Sequence, residues 1–163
     1  MAEPSPFLLS RAFSQLTGRK VAFVIAPAVP ESKMRQIYGI YSVKPHDVAV
    51  VVKADLLLMG SFAGSLVCLP DAAVKEHLKV TPLEELMRDA ILEVFNIAAA
   101  SVTTEGRAVF TRMVTDPAYI DGPAEKAFKK PFRRNYFNVT IEGYQGGKFT
   151  IFSDFIPTEL DAR

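Results

Sequence analysis

The chain has 163 residues, 49% of them hydrophobic and 23% charged, which excludes a disordered or collagen-like polymer and gives enough apolar mass for one ordinary core. Nineteen Lys+Arg against eighteen Asp+Glu leave a net charge of +1, so no global basic field draws in nucleic acid or anionic lipid. One cysteine, Cys68, excludes an internal disulfide framework, and two histidines, His46 and His77, exclude a His-rich metal site.

The N-terminal Met1-Ala2-Glu3-Pro4-Ser5-Pro6 has no basic region and no long apolar run, so no signal peptide is expected. Ser5 to Thr17 spaces Phe7, Leu8, Ala12, Phe13 and Leu16 as a short helix does, with Gly18 as its stop. Val21 to Ile25 reads as a strand closed by Pro27, Ala28 to Arg35 as a loop, and Ile37 to Val43 as a strand ended by Lys44-Pro45. Asp47 to Val52 and Leu56 to Leu58 are expected as further strands. The apolar run Val48 to Met59 is broken by Lys53 and Asp55 and is too short to cross a bilayer. Ser65 to Leu69 is expected as a strand carrying a buried, inert Cys68, and Ala72 to Leu78 as a short helix.

Thr81-Pro82-Leu83-Glu84 has the form of a capping box with proline at the first helical position, and it predicts a long helix from Pro82 to about Thr104. At 100° per residue, Leu83, Leu86, Met87, Ala90, Ile91, Val94, Ile97 and Ala98 share a broad apolar face. Glu85, Asp89, Glu93, Asn96 and Thr103 fall on the opposite polar stripe, with Glu93 and Asn96 as i,i+3 neighbours. Asparagine is a poor helix former because its amide competes for backbone groups. A mid-helix Asn96 therefore suits either a solvated face or the presentation of an amide beside a carboxylate.

Ala108 to Val114 is expected as a strand, Thr115 to Arg134 as a long polar loop, and Asn138 to Glu142 with Lys148 to Phe155 as a hairpin across Gly143 to Gly147. Most connections are too short for parallel crossovers, which favours a single antiparallel α+β domain over residues 1–163. A soluble, cytoplasmic protein is the default reading.

Asp89-Ala90-Ile91-Leu92-Glu93-Val94-Phe95-Asn96 has the form D-x-x-x-E-x-x-N. Gly60 to Val67 upstream, the lead-in Leu83-Glu84-Glu85-Leu86, the small residues Ala98 to Ser101 and the downstream Pro117 accompany it. In these features the chain resembles the CheC/CheX/FliY family of chemotaxis phosphatases, which dephosphorylate CheY-type response regulators. The first helix has neither Glu nor Asn, so the chain is more similar to CheX, with one site per chain, than to CheC with two. One residue departs from the pattern: the family has Gly before the Asn, and this chain has Phe95, which either fills core or crowds the docking surface.

The resemblance implies a CheX-like domain whose antiparallel sheet carries long helices on one face. It implies hydrolysis of an aspartyl phosphate on a CheY-type regulator. In that reading Asn96 orients the attacking water, Glu93 pairs with the regulator's lysine, and Asp89 and Glu85 bear on the same docking surface. The chain would need no cofactor of its own, because the regulator supplies Mg²⁺. CheX-like relatives pair through sheet edges, so a homodimer through the hairpin Asn138 to Phe155 is an expectation, whereas no nucleic acid or membrane partner is. The alternative is a non-catalytic module that binds a receiver domain or a flagellar-switch component.

Other signals are weaker. Lys126 to Phe137 interleaves basic and aromatic residues, which suits a single-stranded nucleic-acid surface or simply a basic loop entering a strand. Ser10, Ser14 or Ser65 with His77 lacks the G-x-S-x-G elbow of a hydrolase. His46 is expected at a turn surface.

Overall fold

Residues 4–27, 33–45, 48–103 and 107–154 are described by a computed structural model. The elements, in chain order, are α1 (Pro6–Thr17), β1 (Val21–Ile25), β2 (Gln36–Lys44), β3 (Val48–Asp55), α2 (Leu56–Leu66), α3 (Asp71–Leu78), α4 (Glu85–Ala98), β4 (Arg107–Val114), α5 (Pro123–Lys129), β5 (Arg133–Ile141) and β6 (Tyr144–Ser153), with a 3₁₀ turn at Pro117–Tyr119. The expectations for residues 28–32 of the first loop, for His46 and Asp47, and for Thr104 and Phe155 lie outside the described residues.

The strands form one sheet in the order β1-β5-β6-β3-β2-β4, and every neighbouring pair is antiparallel. This is the expected α+β architecture. The main core lies between one face of the sheet and α1, α2 and α4, where Phe13 meets Phe62 at 4.5 Å and Phe23 at 5.1 Å between ring centres. α1 starts on Ser5, whose hydroxyl accepts the Leu8 N–H, and stops on Gly18 in the left-handed region.

Several expected elements change identity. Leu56 to Leu58 and Ser65 to Leu69 are not strands: Leu56 to Leu66 is one helix, α2, entered directly from Asp55 at the end of β3. A short, continuous apolar run has no period that separates a buried strand from a buried helix. The glycines decide it through packing. A Cβ at Gly60 would stand 2.6 Å from Leu78, and one at Gly64 would collide with Val74. Gly60 and Gly64, one turn apart, thus form the flat strip into which Val74 and Leu78 of α3 settle. Cys68, beyond α2, is neither on a strand nor buried: it is exposed, with φ 61°.

The long polar loop contains α5, which lies on the other face of the sheet. There Phe128 packs edge-on to Tyr38 and Phe152, and Ala124 and Ala127 are buried against Val51. Of the aromatic residues in the basic-aromatic run, Phe128 and Phe137 therefore point into core, and only Phe132 is more than half exposed, at 54%, while Lys126 and Lys129 stay out in solvent. The hairpin β5–β6 turns at Gly143, and both its strands lie inside the sheet, so it offers no free edge for a dimer. The edges are β1 and β4, and α1 closes part of the first. Ser14 Oγ accepts the Val21 N–H at 3.0 Å and donates to the Val21 carbonyl at 3.2 Å, while Ser10 Oγ accepts the Phe23 N–H at 2.8 Å.

Candidate functional site

α4 is shorter than its signal. It begins at Glu85, with Glu84 rather than Thr81 as N-cap and no side-chain cap hydrogen bond. Leu83 lies outside the helix and packs on the main core. The Glu84 carboxylate stands 3.5 Å from His77 Nδ1 on α3, so it is not folded back on Thr81.

The buried residues of α4 are Met87, Ala90, Ile91, Val94, Phe95 and Ala98. Phe95 is fully buried and Leu86 and Ile97 are exposed, so the inward face sits about 40° further round than hydropathy alone places it. The cause is a gap over β2. A Cβ at Gly39 would lie 2.5 Å from the Phe95 ring, which means the ring occupies the place a side chain would take. Phe110 of β4 stacks on the outer side of the same ring, 5.7 Å between centres and 10° from parallel. Tyr41, also buried, donates its hydroxyl to the Phe95 carbonyl at 2.6 Å. That carbonyl is among the last four of the helix, which lack intrahelical partners, and burial pushes the Tyr41 hydroxyl well above its usual pKa. Phe95 thus fills core and leaves the outer surface clear.

The opposite side of α4 carries four of the five residues that the sequence placed on the polar stripe; the helix ends at Ala98 rather than near Thr104, so Thr103 lies beyond it. Glu85, Asp89, Glu93 and Asn96 are exposed, and 100° steps place them within an arc of about 80°. Arg88 stands 3.7 Å from Asp89, both well exposed. Among the described residues nothing bonds to the side chains of Glu93 or Asn96. What α4 presents is a free carboxylate and a free carboxamide one turn apart, on a helix anchored from behind by Tyr41 and Phe95. The carboxamide both donates and accepts hydrogen bonds and carries no titrating proton.

Sequence reasoning missed Leu86 and Ile97, which it assigned to the core. They stand 52% and 43% exposed at the edge of that stripe, on the Glu93 side. The other proposed groupings do not assemble. Ser10 and Ser14 are spent on β1, and Ser65 Oγ donates to the Thr17 carbonyl at 3.0 Å. Asp55, a buried carboxylate, accepts Gln36 Nε2 at 2.6 Å and the Lys148 N–H at 2.9 Å, which ties β2 and β6 to the β3–α2 junction. Among the described residues no group of three or more His, Cys, Asp or Glu is placed to hold a metal ion, and no helix is long and apolar enough to cross a membrane.

No protein-family model matches the chain, and no curated protein matches its sequence. Solved structures do match its fold. A chain of the FliG–FliM complex from H. pylori superposes with a TM-score of 0.60 at 9% identity, over 99% of this chain and 93% of that one. FliY from Thermotoga maritima gives 0.55 at 17% identity, over 89% of this chain and 82% of that one. CheX from Vibrio vulnificus gives 0.50 at 9% identity, over 90% and 94%.

Proposed function

From the fold that this chain shares with CheX and FliY, we propose that it is a CheX-type phosphatase acting in the cytoplasm on a phosphorylated CheY-type response regulator. The observation that carries the reading is the free Glu93–Asn96 pair on the outer face of α4, with Phe95 turned away from it.

The bond to be broken joins a regulator aspartate to phosphorus. It is labile already, and catalysis requires a water held in line with it. The Asn96 carbonyl accepts a hydrogen bond from that water and its NH₂ donates to the phosphoryl group. The water oxygen attacks phosphorus, the aspartyl oxygen–phosphorus bond breaks, the regulator carboxylate leaves, and the water's proton goes to the released phosphate. Glu93, one turn earlier, pairs with the lysine beside the phosphoaspartate and fixes how far along the pocket α4 seats. Asp89 and Glu85 extend the same acidic surface. Mg²⁺ belongs to the regulator in this scheme.

The test is Asn96→Ala, assayed by phosphate release from a CheY-type receiver domain charged with acetyl phosphate. Loss of one preorganised polar group costs about 3 kcal/mol, or roughly 10²-fold in rate, with no fall in melting temperature, because the side chain is exposed and unbonded and alanine is the better helix former. Full activity in the variant refutes the assignment.

A second reading rests on the match to a chain of the FliG–FliM complex. In this second reading the same face of α4 binds a receiver or a switch component without hydrolysis. Stable binding of a charged receiver by the wild-type chain, with no acceleration of phosphate release, decides for it.

A further inference from the structure

We infer that Leu86 and Ile97 are the apolar anchors by which α4 seats on its partner, gripping an apolar rim on either side of a cationic pocket. The inference rests on the receiver-docking reading above and adds the residues that set affinity.

Leu86, Glu93 and Ile97 follow one another at i, i+7 and i+11. At 100° and 1.5 Å per residue they lie within about 40° of one another, along about 16 Å of helix. The carboxylate therefore stands in a nearly straight row between two branched aliphatic chains, with Asn96 about 60° round the helix from it on one side of the row. Neither aliphatic chain is needed to fill the core under α4, and about half of each is left in water. The inward face is filled by Met87, Ile91, Val94 and Phe95, all fully buried, while Leu86 and Ile97 remain 52% and 43% exposed. At position 97 isoleucine is also a poorer helix former than Lys, Glu or Gln. An exposed ion pair alone contributes little to binding and is screened by salt. Two aliphatic chains that leave water on contact supply the part that salt does not weaken.

The charge on the same row selects the occupant. Glu85, Asp89 and Glu93 are exposed on this face, and Arg88 offsets only Asp89. An anionic membrane or a nucleic acid is repelled there. A protein pocket that offers a lysine and a metal ion is complementary to these carboxylates, which is the chemistry of the phosphorylated receiver domain in the reading above.

The experiment compares wild type, Leu86→Ala, Ile97→Ala, the double variant, Asn96→Ala and the control Ile25→Ala, an aliphatic residue 67% exposed on the edge strand β1. The probes are a panel of CheY-type receiver domains, each charged with acetyl phosphate for turnover or with beryllofluoride for binding. Each anchor variant is expected to raise KM and the beryllofluoride-complex Kd about five- to tenfold, and the double variant further, as expected for an aliphatic side chain cut back to its Cβ. Rates at saturating receiver stay within twofold of wild type, and added salt weakens wild type and anchor variants by the same factor, because the part removed does not depend on salt. Ile25→Ala changes nothing, and Asn96→Ala lowers the rate about 10²-fold while moving Kd by far less.

Unchanged KM and Kd in the double variant overturn the inference while an inactive Asn96→Ala leaves the phosphatase reading standing. Conversely, an active Asn96→Ala with weakened binding in the anchor variants removes the catalytic role and keeps the anchors. Loss of a wild-type self-association in the anchor variants, with KM unmoved, assigns the row to a contact between copies and overturns the inference. Binding of no receiver by wild type overturns both.

Discussion

Adding a single methyl group at Gly39 tests the packing that turns α4. In Gly39→Ala the new Cβ falls 2.5 and 2.6 Å from two carbons of the Phe95 ring, about 1 Å inside ordinary contact. The ring has nowhere to retreat, because Phe110 stacks on it and the Phe95 carbonyl is held by Tyr41. Overpacking of this kind costs about 1–3 kcal/mol, offset by about 0.5–1 kcal/mol because alanine suits a strand better than glycine. The net expectation is about 1–2 kcal/mol of lost stability, a fall of roughly 2–8 °C in melting temperature for a chain of this length. A second substitution separates this mechanism from a generic strand defect. Phe95→Leu removes the ring and is destabilising by itself, yet in its presence Gly39→Ala should cost little, so the two changes couple by about 1 kcal/mol or more. Urea unfolding of the four proteins in the double-mutant cycle reads the coupling. Additive losses, or a Gly39→Ala variant as stable as wild type, refute the claim that Phe95 fills the space over that glycine.

Two further perturbations probe the same scaffold. Tyr41→Phe leaves a buried helix-end carbonyl without its hydroxyl donor, at a cost of about 1–3 kcal/mol; chemical denaturation checks it, and a loss below about 0.5 kcal/mol would show the bond to be dispensable. Ser10→Ala together with Ser14→Ala frees the Phe23 and Val21 N–H groups on edge strand β1 and should cost about 1 kcal/mol for each lost bond. Light scattering should also show concentration-dependent association in that variant, and a stable, monodisperse double variant would mean α1 does not guard the edge.

The acid-and-amide stripe of α4 was legible in the sequence because a helix returns to the same face every three to four residues, so Asp89, Glu93 and Asn96 align wherever the helix packs. The antiparallel α+β class followed from connection lengths, and most strands from β-branched runs bounded by proline or glycine. α2 was not legible, since a chain segment buried on nearly all sides has no amphipathic period, and its place is set by packing on α3, α4 and β6, with Val74 and Leu78 seated on Gly60 and Gly64. α5 escaped notice because it is seven residues long and buries only Ala124 and Ala127 fully.

The sequence by itself determined which groups share a line on α4, through covalent spacing and helical pitch. How far α4 is rotated about its axis depended on a contact between residues 56 positions apart, where the Phe95 ring enters the space over Gly39 and Tyr41 holds its carbonyl. That rotation turns Leu86 and Ile97 out to water and keeps Phe95 off the surface. No local pattern records it, because the gap that Phe95 fills exists only once β2 lies beneath the helix.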